Sequence, residues 1–364
     1  MHLGRAAPVG IAGSSKYGGQ GHSDGSMFAS EKLTGKMKDT LATWVNNSKA
    51  NSTWSTYRTA ERLILTCQKQ EGKKFDWPMK NEDTLIFIYW LIEKRGVKVS
   101  SVNSYLAGAR QLHISKGLDP PVLRTEIIKQ ALKGRAHMER QLYRTAKQRL
   151  PMTMALLQLL KERTRLAQMA SETKRMFWSL STLMFFGAFR ISEVASQQEA
   201  TFDPDHTLLT EDVKLRTTGQ GGTLEVTLKC PKENKDGKPT IVDVFESGGA
   251  LCPVAAFKKW TGQRTPEEGL PLFRDETGTP VTARKFNTYL KTMLGDQAGK
   301  RGGTLTSHSF QAGITTIMGT MGYDDEDIKL VGRWSSRAFS IYMKGPRTQR
   351  ASIAKKMKDW TNKA

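Results

Sequence analysis

The sequence predicts a mainly helical chain carrying one small β-sheet, an α+β protein of two domains. Three observations lead there. At 364 residues the chain is too long for one ordinary core, and its 38% hydrophobic content is enough for two. Apolar residues recur at helical spacing on both sides of a basic stretch that stops at Pro151. In the second part alone, Leu224, Val226, Leu228 and Cys230 alternate with Glu225, Thr227 and Lys229, and a β-branched and aromatic run follows from Thr240 to Phe245. The two runs read as a β-hairpin. Its Asp236-Gly237 pair suits a tight turn, which sets Lys232 and Lys235 at or near the tip.

Taken in order, residues 1–34 form a Gly- and Ser-rich N-terminus that reads as disordered and lacks the continuous apolar segment of a secretory signal. Residues 35–138 read as a helical domain. Trp54, Tyr57, Ala60, Leu63 and Ile64 share one helix face, with Ser52 or Thr53 as the cap. Asn81-Glu-Asp offers a cap and first-turn acids ahead of the apolar stretch Leu85 to Ile92. A further helix is expected from Ser100 or Ser101, with Val102, Tyr105, Leu106 and Ala109 on one face and Asn103, Arg110 and Gln111 opposite. Residues 139–151 read as a basic linker, the end of a run from Lys133 that suits contact with a phosphate backbone. The second domain, 152–345, opens with a helix from Met152 to about Leu166 and a buried helix ending in Leu183 to Arg190. After the hairpin the pattern turns helical again from Val281, with turns at Gly302-Gly303 and Gly345-Pro346. Residues 346–364 read as a C-terminal helix whose apolar stripe is Ile353, Ala354, Met357 and Trp360.

Charge narrows the partners. The formal net charge of +21 comes from 56 Lys and Arg against 35 Asp and Glu, an excess whose field attracts polyanions. Nucleic acid is the expected partner, ahead of an anionic lipid surface. The longest apolar runs, Leu85 to Ile92 and Leu183 to Phe189, fall far short of the roughly 18 residues that span a bilayer, so no membrane span is expected. Cys67, Cys230 and Cys252 are odd in number and form no Cys-x-x-Cys pair, which argues against a disulfide framework or a thiolate zinc site and suits a reducing compartment. The acidic run Asp324 to Asp327 reads as the favourable first turn of a helix, not as a carboxylate metal site, because no His- or Cys-rich spacing accompanies it.

Four fragments carry chemistry: Gly187-Ala-Phe-Arg190-Ile-Ser-Glu193, Cys230-Pro-Lys232, Ser307-His308-Ser-Phe-Gln311-Ala-Gly, and Gly332-Arg-Trp334 with Tyr342 eight positions after the tryptophan. In this order they resemble the catalytic signature of the tyrosine recombinase (phage-integrase) family, and the likeness extends over nearly the whole chain after residue 35. The texture of Tyr57-Arg-Thr-Ala-Glu-Arg, of Ser104 to His113 and of the closing Gly-Arg-Trp-Ser-Ser segment is most similar to the Crypton and DIRS-like recombinases of eukaryotic mobile elements.

The resemblance implies a helical SAM-like core-binding domain followed by a catalytic domain, and a reaction that needs no metal or other cofactor. Arg190 would clamp the scissile phosphate, since a planar guanidinium can bind two oxygens as negative charge grows on them, and Glu193 would support it. Tyr342 would attack to form a 3′-phosphotyrosyl link. Lys232 would protonate the leaving 5′-oxygen, His308 would act in proton transfer or phosphate binding, and Trp334 would donate an N–H to the phosphate. Candidate DNA-binding residues are Arg58, Arg62, Asn103, Arg110, Lys133, Arg135, Arg144, Lys147 and Arg149. The family also implies double-stranded DNA as the partner, a dimer on one site, a tetramer in synapsis, a terminal helix exchanged between subunits and, for a eukaryotic element, the nucleus.

Gln311 departs from the pattern. The family has a second arginine there, and glutamine brings neither the charge nor the paired-donor fork. Loss of one charged transition-state contact commonly costs a factor of roughly a hundred to a thousand in rate. The sequence therefore predicts impaired cleavage, with more covalent product after Gln311→Arg. It keeps open a decayed or co-opted DNA-binding protein and, less favoured, a type IB topoisomerase.

Overall fold

The computed structural model describes residues 30–119, 125–142, 148–218, 221–230, 238–262, 265–334 and 340. The fold is mainly helical with one small antiparallel sheet, and it divides into two compact units that part between Ala146 and Lys147.

The first unit is helical: α1 (Gly35–Asn47), α2 (Asn51–Glu71), α3 (Asn81–Tyr89), α4 (Val99–Ser115) and α5 (Glu126–Leu142). Its core takes Ala60, Ile64 and Cys67 from α2, spaced by three and four residues as one helix face requires, and Val102, Leu106 and Ala109 from α4. Phe87 and Trp90 lie beneath them, and the Trp90 indole donates to Gln70 Oε1 at 3.0 Å. Gly108 lets α2 and α4 approach closely, because a Cβ there would stand 2.6 Å from Ala60 Cβ. The expected helices form, with starts displaced by a residue or two. Ala50, Lys80 and Lys98 hold the N-cap positions, in place of Ser52 or Thr53, Asn81, and Ser100 or Ser101. At α3 the stabilising contact runs backwards, the Lys80 amide donating to Asp83 Oδ2 at 3.1 Å. The basic run from Lys133 is helical as far as Leu142, so the start of the stretch expected to be linker is the last turn of α5.

The second unit contains β1 (Gln148–Arg149), α6 (Met154–Leu166), α7 (Ser171–Phe186), α8 (Ile191–Val194), β2 (Val213–Thr218), β3 (Gly221–Leu228), β4 (Thr240–Phe245), α9 (Pro253–Thr261), α10 (Ala283–Lys300), β5 (Gly303–Thr304), α11 (His308–Met321) and α12 (Asp325–Gly332). The predicted hairpin is β3 and β4, paired antiparallel from Leu228 opposite Thr240 to Thr223 opposite Phe245. Alternation holds along β3, where Leu224, Val226 and Leu228 are buried. Three strands were not expected: β2, which pairs with the other edge of β3, and the two-residue strands β1 and β5, which pair parallel with each other. The lysines placed near the hairpin tip, Lys232 and Lys235, lie outside the described residues.

Helix α7 is the central rod, with Met176, Phe177, Leu180, Leu183, Met184 and Phe185 in one continuous core. Phe177 stacks on Tyr289 of α10 at 4.3 Å, and the Tyr289 hydroxyl meets Thr164 of α6 at 2.6 Å. The acidic run forms a helix start as expected: Asp324 caps α12 by accepting from the amides of Glu326 and Asp327. No helix of the described residues is long and apolar enough to cross a membrane. The N-terminal residues 1–29 and the segment 346–364, expected as disordered and helical respectively, lie outside the described residues.

Candidate active site

The site is built where α7 ends. Gly187 closes the helix, and no larger residue fits, since a Cβ there would lie 2.2 Å from the Phe189 ring. Ala188 then takes a left-handed conformation, φ 48°, which is uncommon for a residue with a side chain. The turn delivers Arg190 outside the helix that was expected to contain it, as the N-cap of the short α8. Glu193, one turn on, accepts from the Arg190 backbone amide at 2.9 Å and from its Nη1 at 3.1 Å. Both side chains are largely buried, at 14% and 5% exposure, so the pair is fixed and not a solvated i,i+3 contact.

A second cation reaches the same carboxylate. Arg333 stands just beyond α12 in a left-handed conformation, φ 53°, and its Nη2 donates to Glu193 Oε2 at 2.7 Å. Its Nη1 donates to Gly187 O at 2.8 Å and its Nη2 also to Ala188 O at 3.3 Å, while the guanidinium lies over the Phe189 ring at 4.8 Å. Burial lowers the Arg333 pKa from its ordinary value. Glu193 opposes that shift and Arg190 adds to it. Arg190 and Arg333 thus share one buried carboxylate and hold the 187–190 turn from both sides.

Gln311 joins the same knot from α11. It is 4% exposed, and its Nε2 donates to Ala188 O and to Gly332 O, both at 3.4 Å. The side chain therefore ties the end of α7 to the end of α12. Helix α11 is held against the start of the unit by backbone contacts: Met152 N donates to Ser309 O at 2.7 Å, and a Cβ on Gly313 would stand 2.1 Å from Met152 O. His308 sits exposed at the first position of α11, three residues ahead of Gln311.

Trp334 follows Arg333 in the chain. Its half-buried ring packs with Met318 and Ile328, and lies so close to Gly332 that a Cβ there would meet ring carbons at 1.9 Å. Arg333, the middle residue of the Gly-Arg-Trp fragment, is the one that reaches Glu193. Sequence reasoning missed its role. The available signal was a long cation directly after the glycine that ends α12, next to the aromatic that anchors the turn.

At the end of β3, Lys229 pairs with buried Asp212 at 2.6 Å. Lys229 and Cys230 line a small cleft together with Ser192 and Glu193, which brings the strand that leads towards Lys232 beside α8. Lys232 and Tyr342 are outside the described residues. Among the described residues no group of His, Cys, Asp and Glu is arranged to hold a metal ion.

In the first unit Arg58 and Arg62 are exposed on α2, as is Arg110 on α4, where Asn103 is half-buried. Between the two helices runs a groove lined by Ser55, Thr56, Thr59, Ser101, Ser104 and Tyr105, hydroxyl donors that composition did not reveal. Lys133 is exposed on α5, whereas Arg135 is half-buried and approaches Glu93 at 3.5 Å. Arg149 is exposed on β1, and Arg144 and Lys147 lie outside the described residues.

No family model and no curated protein sequence matches the chain. Solved structures do. The XerH site-specific recombinase bound to palindromic difH substrate, a post-cleavage complex, superposes with a TM-score of 0.55 at 15% identity, covering 85% of this chain and 81% of that one. The Tn1549 transposon integrase in complex with transposon right-end DNA gives 0.53 at 13% identity, covering 88% and 97%. The chain is thus built on the two-domain, mainly helical architecture of site-specific recombinases and transposon integrases.

Proposed function

We propose that this chain is a site-specific DNA recombinase that cleaves DNA through Tyr342 and rejoins it, derived from a mobile element of the Crypton or DIRS-like kind and acting in the nucleus. One observation carries the reading: Arg190, Glu193 and Gln311, drawn from fragments about 120 residues apart in sequence, meet around the 187–190 turn on a recombinase fold. A guanidinium fixed by a buried carboxylate is suited to a phosphodiester, because it presents paired donors in one orientation at no further cost in ordering.

In this reading Arg190 binds the non-bridging oxygens of the scissile phosphate. Attack by the Tyr342 hydroxyl forms a 3′-phosphotyrosine and releases a 5′-hydroxyl, whose oxygen takes a proton from Lys232. His308, at the exposed start of α11, assists proton transfer or binds the phosphate. The bond energy is kept in the protein–DNA ester, so a second 5′-hydroxyl reverses the step and exchanges strands, and neither ATP nor a metal ion enters. Four protomers on two duplexes would couple the exchanges, the segment 346–364 passing between neighbours.

A second reading is favoured by Gln311 itself, whose amide is spent on two carbonyls: a DNA-binding protein that keeps the grip without the chemistry. Incubation with nicked suicide DNA separates the readings. Recombinase function predicts a covalent adduct that Tyr342→Phe abolishes, with strand exchange between duplexes. Tight binding with no adduct would support the second reading, and relaxation of supercoils without exchange would indicate a topoisomerase.

A further inference from the structure

Strand β3 leaves its sheet beside the Arg190–Glu193 pair, and a buried ion pair fixes the exit. The ladder with β4 runs as far as Leu228 opposite Thr240, and the chain already bends at Lys229 and Cys230. There Lys229 Nζ meets Asp212 Oδ2 at 2.6 Å, the two side chains being 25% and 9% exposed. A pair so far withdrawn from water is not a screened surface contact of little worth. Asp212 is a fixed post. It ends the turn Thr210–Asp212 that enters β2, and the same Oδ2 accepts from Leu209 N at 2.8 Å. Backbone bonds pin the turn in turn: Thr210 N donates to Leu270 O at 3.1 Å, and Leu272 N to Leu208 O at 2.8 Å. Lys229 and Cys230 line one cleft with Ser192 and Glu193 of α8, and Glu193 is the carboxylate that holds Arg190 at 3.1 Å.

We propose that Asp212 and Lys229 are a positioning pair, which fixes the direction in which the chain leaves β3 beside Glu193 and so aims the proton donor that the hairpin carries. Lys229 is not itself the donor, because its ammonium is committed to Asp212. In the step concerned, the tyrosyl oxygen bonds to phosphorus as the bond from phosphorus to the 5′-oxygen breaks, and the leaving oxygen takes the donor's proton. Such a transfer needs donor and acceptor at hydrogen-bond distance, and a misplacement of about 1 Å can cost roughly a hundredfold. A hairpin tied at its root to a buried carboxylate starts from one direction. The role rests on the recombinase reading, with Lys232 as the donor, whereas the ion pair stands on geometry alone.

The test uses full-length proteins: the natural chain, Tyr342→Phe, Asp212→Asn, Lys229→Met, Lys229→Arg, and the double variant of Asp212→Asn with Lys229→Met. The rate of covalent adduct is read at saturating protein on two nicked duplexes that differ in one atom. One carries the ordinary 5′-oxygen at the scissile bond; the other carries sulfur, and a thiol with a pKa of about 8.5 leaves without needing a proton. Asp212→Asn and Lys229→Met should each slow adduct formation by roughly tenfold to a hundredfold on the oxygen duplex and by less than about threefold on the sulfur one. Lys229→Met should also lower the melting temperature, since it leaves Asp212 buried without a counter-charge. The double variant should regain melting temperature yet stay slow on the oxygen duplex, which parts the tether from stability. Lys229→Arg keeps a cation within reach of Asp212 and should keep most of the rate.

Variants slowed equally on both duplexes would reveal a purely structural staple and overturn the positioning role. So would an unaltered rate in Asp212→Asn. A large loss in Lys229→Arg with Asp212→Asn unaffected would instead make Lys229 the donor, because a guanidinium does not give up its proton. No Tyr342-dependent adduct from the natural chain on either duplex would sink the recombinase reading and this role together, while adduct from the natural chain with variants that sulfur does not rescue would sink the role alone.

Discussion

At His113 the two ring nitrogens have fixed duties. Met79 N–H donates to Nε2 at 2.9 Å, so Nδ1 carries the proton and donates to Ala109 O at 2.7 Å. The ring is wholly buried beside Trp77, and its pKa is lowered from 6.5, first by burial and further by Lys116, against the opposing pull of Ala109 O. A depressed histidine pKa means that the unfolded chain takes up the proton first. Stability from this group is complete above pH 6.5 and is lost as pH falls through 6.5 towards the folded value. Amide exchange at Met79, corrected for its intrinsic rate, should lose protection between pH 7.5 and 5.5, and His113→Gln should flatten that slope even at lower overall stability. Equal protection at both pH values would show that the ring tolerates its second proton.

At the scale of elements, the glycines of helices divide by what faces them. A Cβ on Gly313 would meet Met152 O, a backbone atom that cannot rotate away, whereas a Cβ on Gly108 would meet the Ala60 methyl across the α2–α4 contact. Gly134 in α5 has nothing within 4 Å. Alanine at 108 should cost about 1–3 kcal/mol through overpacking, and alanine at 313 more. Alanine at 134 should stabilise by about 0.4–1 kcal/mol, from reduced freedom of the unfolded chain and better helix propensity. Chemical denaturation of the three variants would expose an error in this ranking. Elements were largely legible in the sequence for the same local reasons. Apolar spacing along Trp54 to Ile64, the acidic helix start at Asp324 to Asp327 and the alternation at Leu224 to Leu228 are short-range signals. Strand β2 escaped because its identity comes from its partner: Leu215 pairs with Leu224 although it is itself exposed. Arg333 escaped for a stronger version of that reason, its carboxylate lying 140 residues away and its charge being one of 56.

For the whole molecule, a net charge of +21 would dominate binding to DNA through release of condensed counterions. The logarithm of affinity should fall linearly with the logarithm of salt concentration, with a slope of about 0.9 for each phosphate neutralised. Contacts differ in what they contribute to that slope. Exposed Arg62 on α2, Arg110 on α4 and Arg149 on β1 are candidates for phosphate contact, so replacing each by alanine should weaken binding to any duplex and reduce the slope by about one ion. The hydroxyls of Ser55, Thr59, Ser101 and Ser104, which line the α2–α4 groove, carry no charge. Their loss should leave the salt slope unchanged and, where they touch base edges, narrow the gap between the preferred site and random sequence. Arg333 should behave like neither group, since its guanidinium is already bound to Glu193 and two carbonyls, so its replacement should leave the ion count unchanged. Binding titrations from 50 to 200 mM salt, a range over which roughly six to ten contacts change affinity by 10³–10⁵, resolve the three behaviours in one series. A salt slope unaffected by removing Arg62, Arg110 and Arg149 together would mean that other residues hold the DNA.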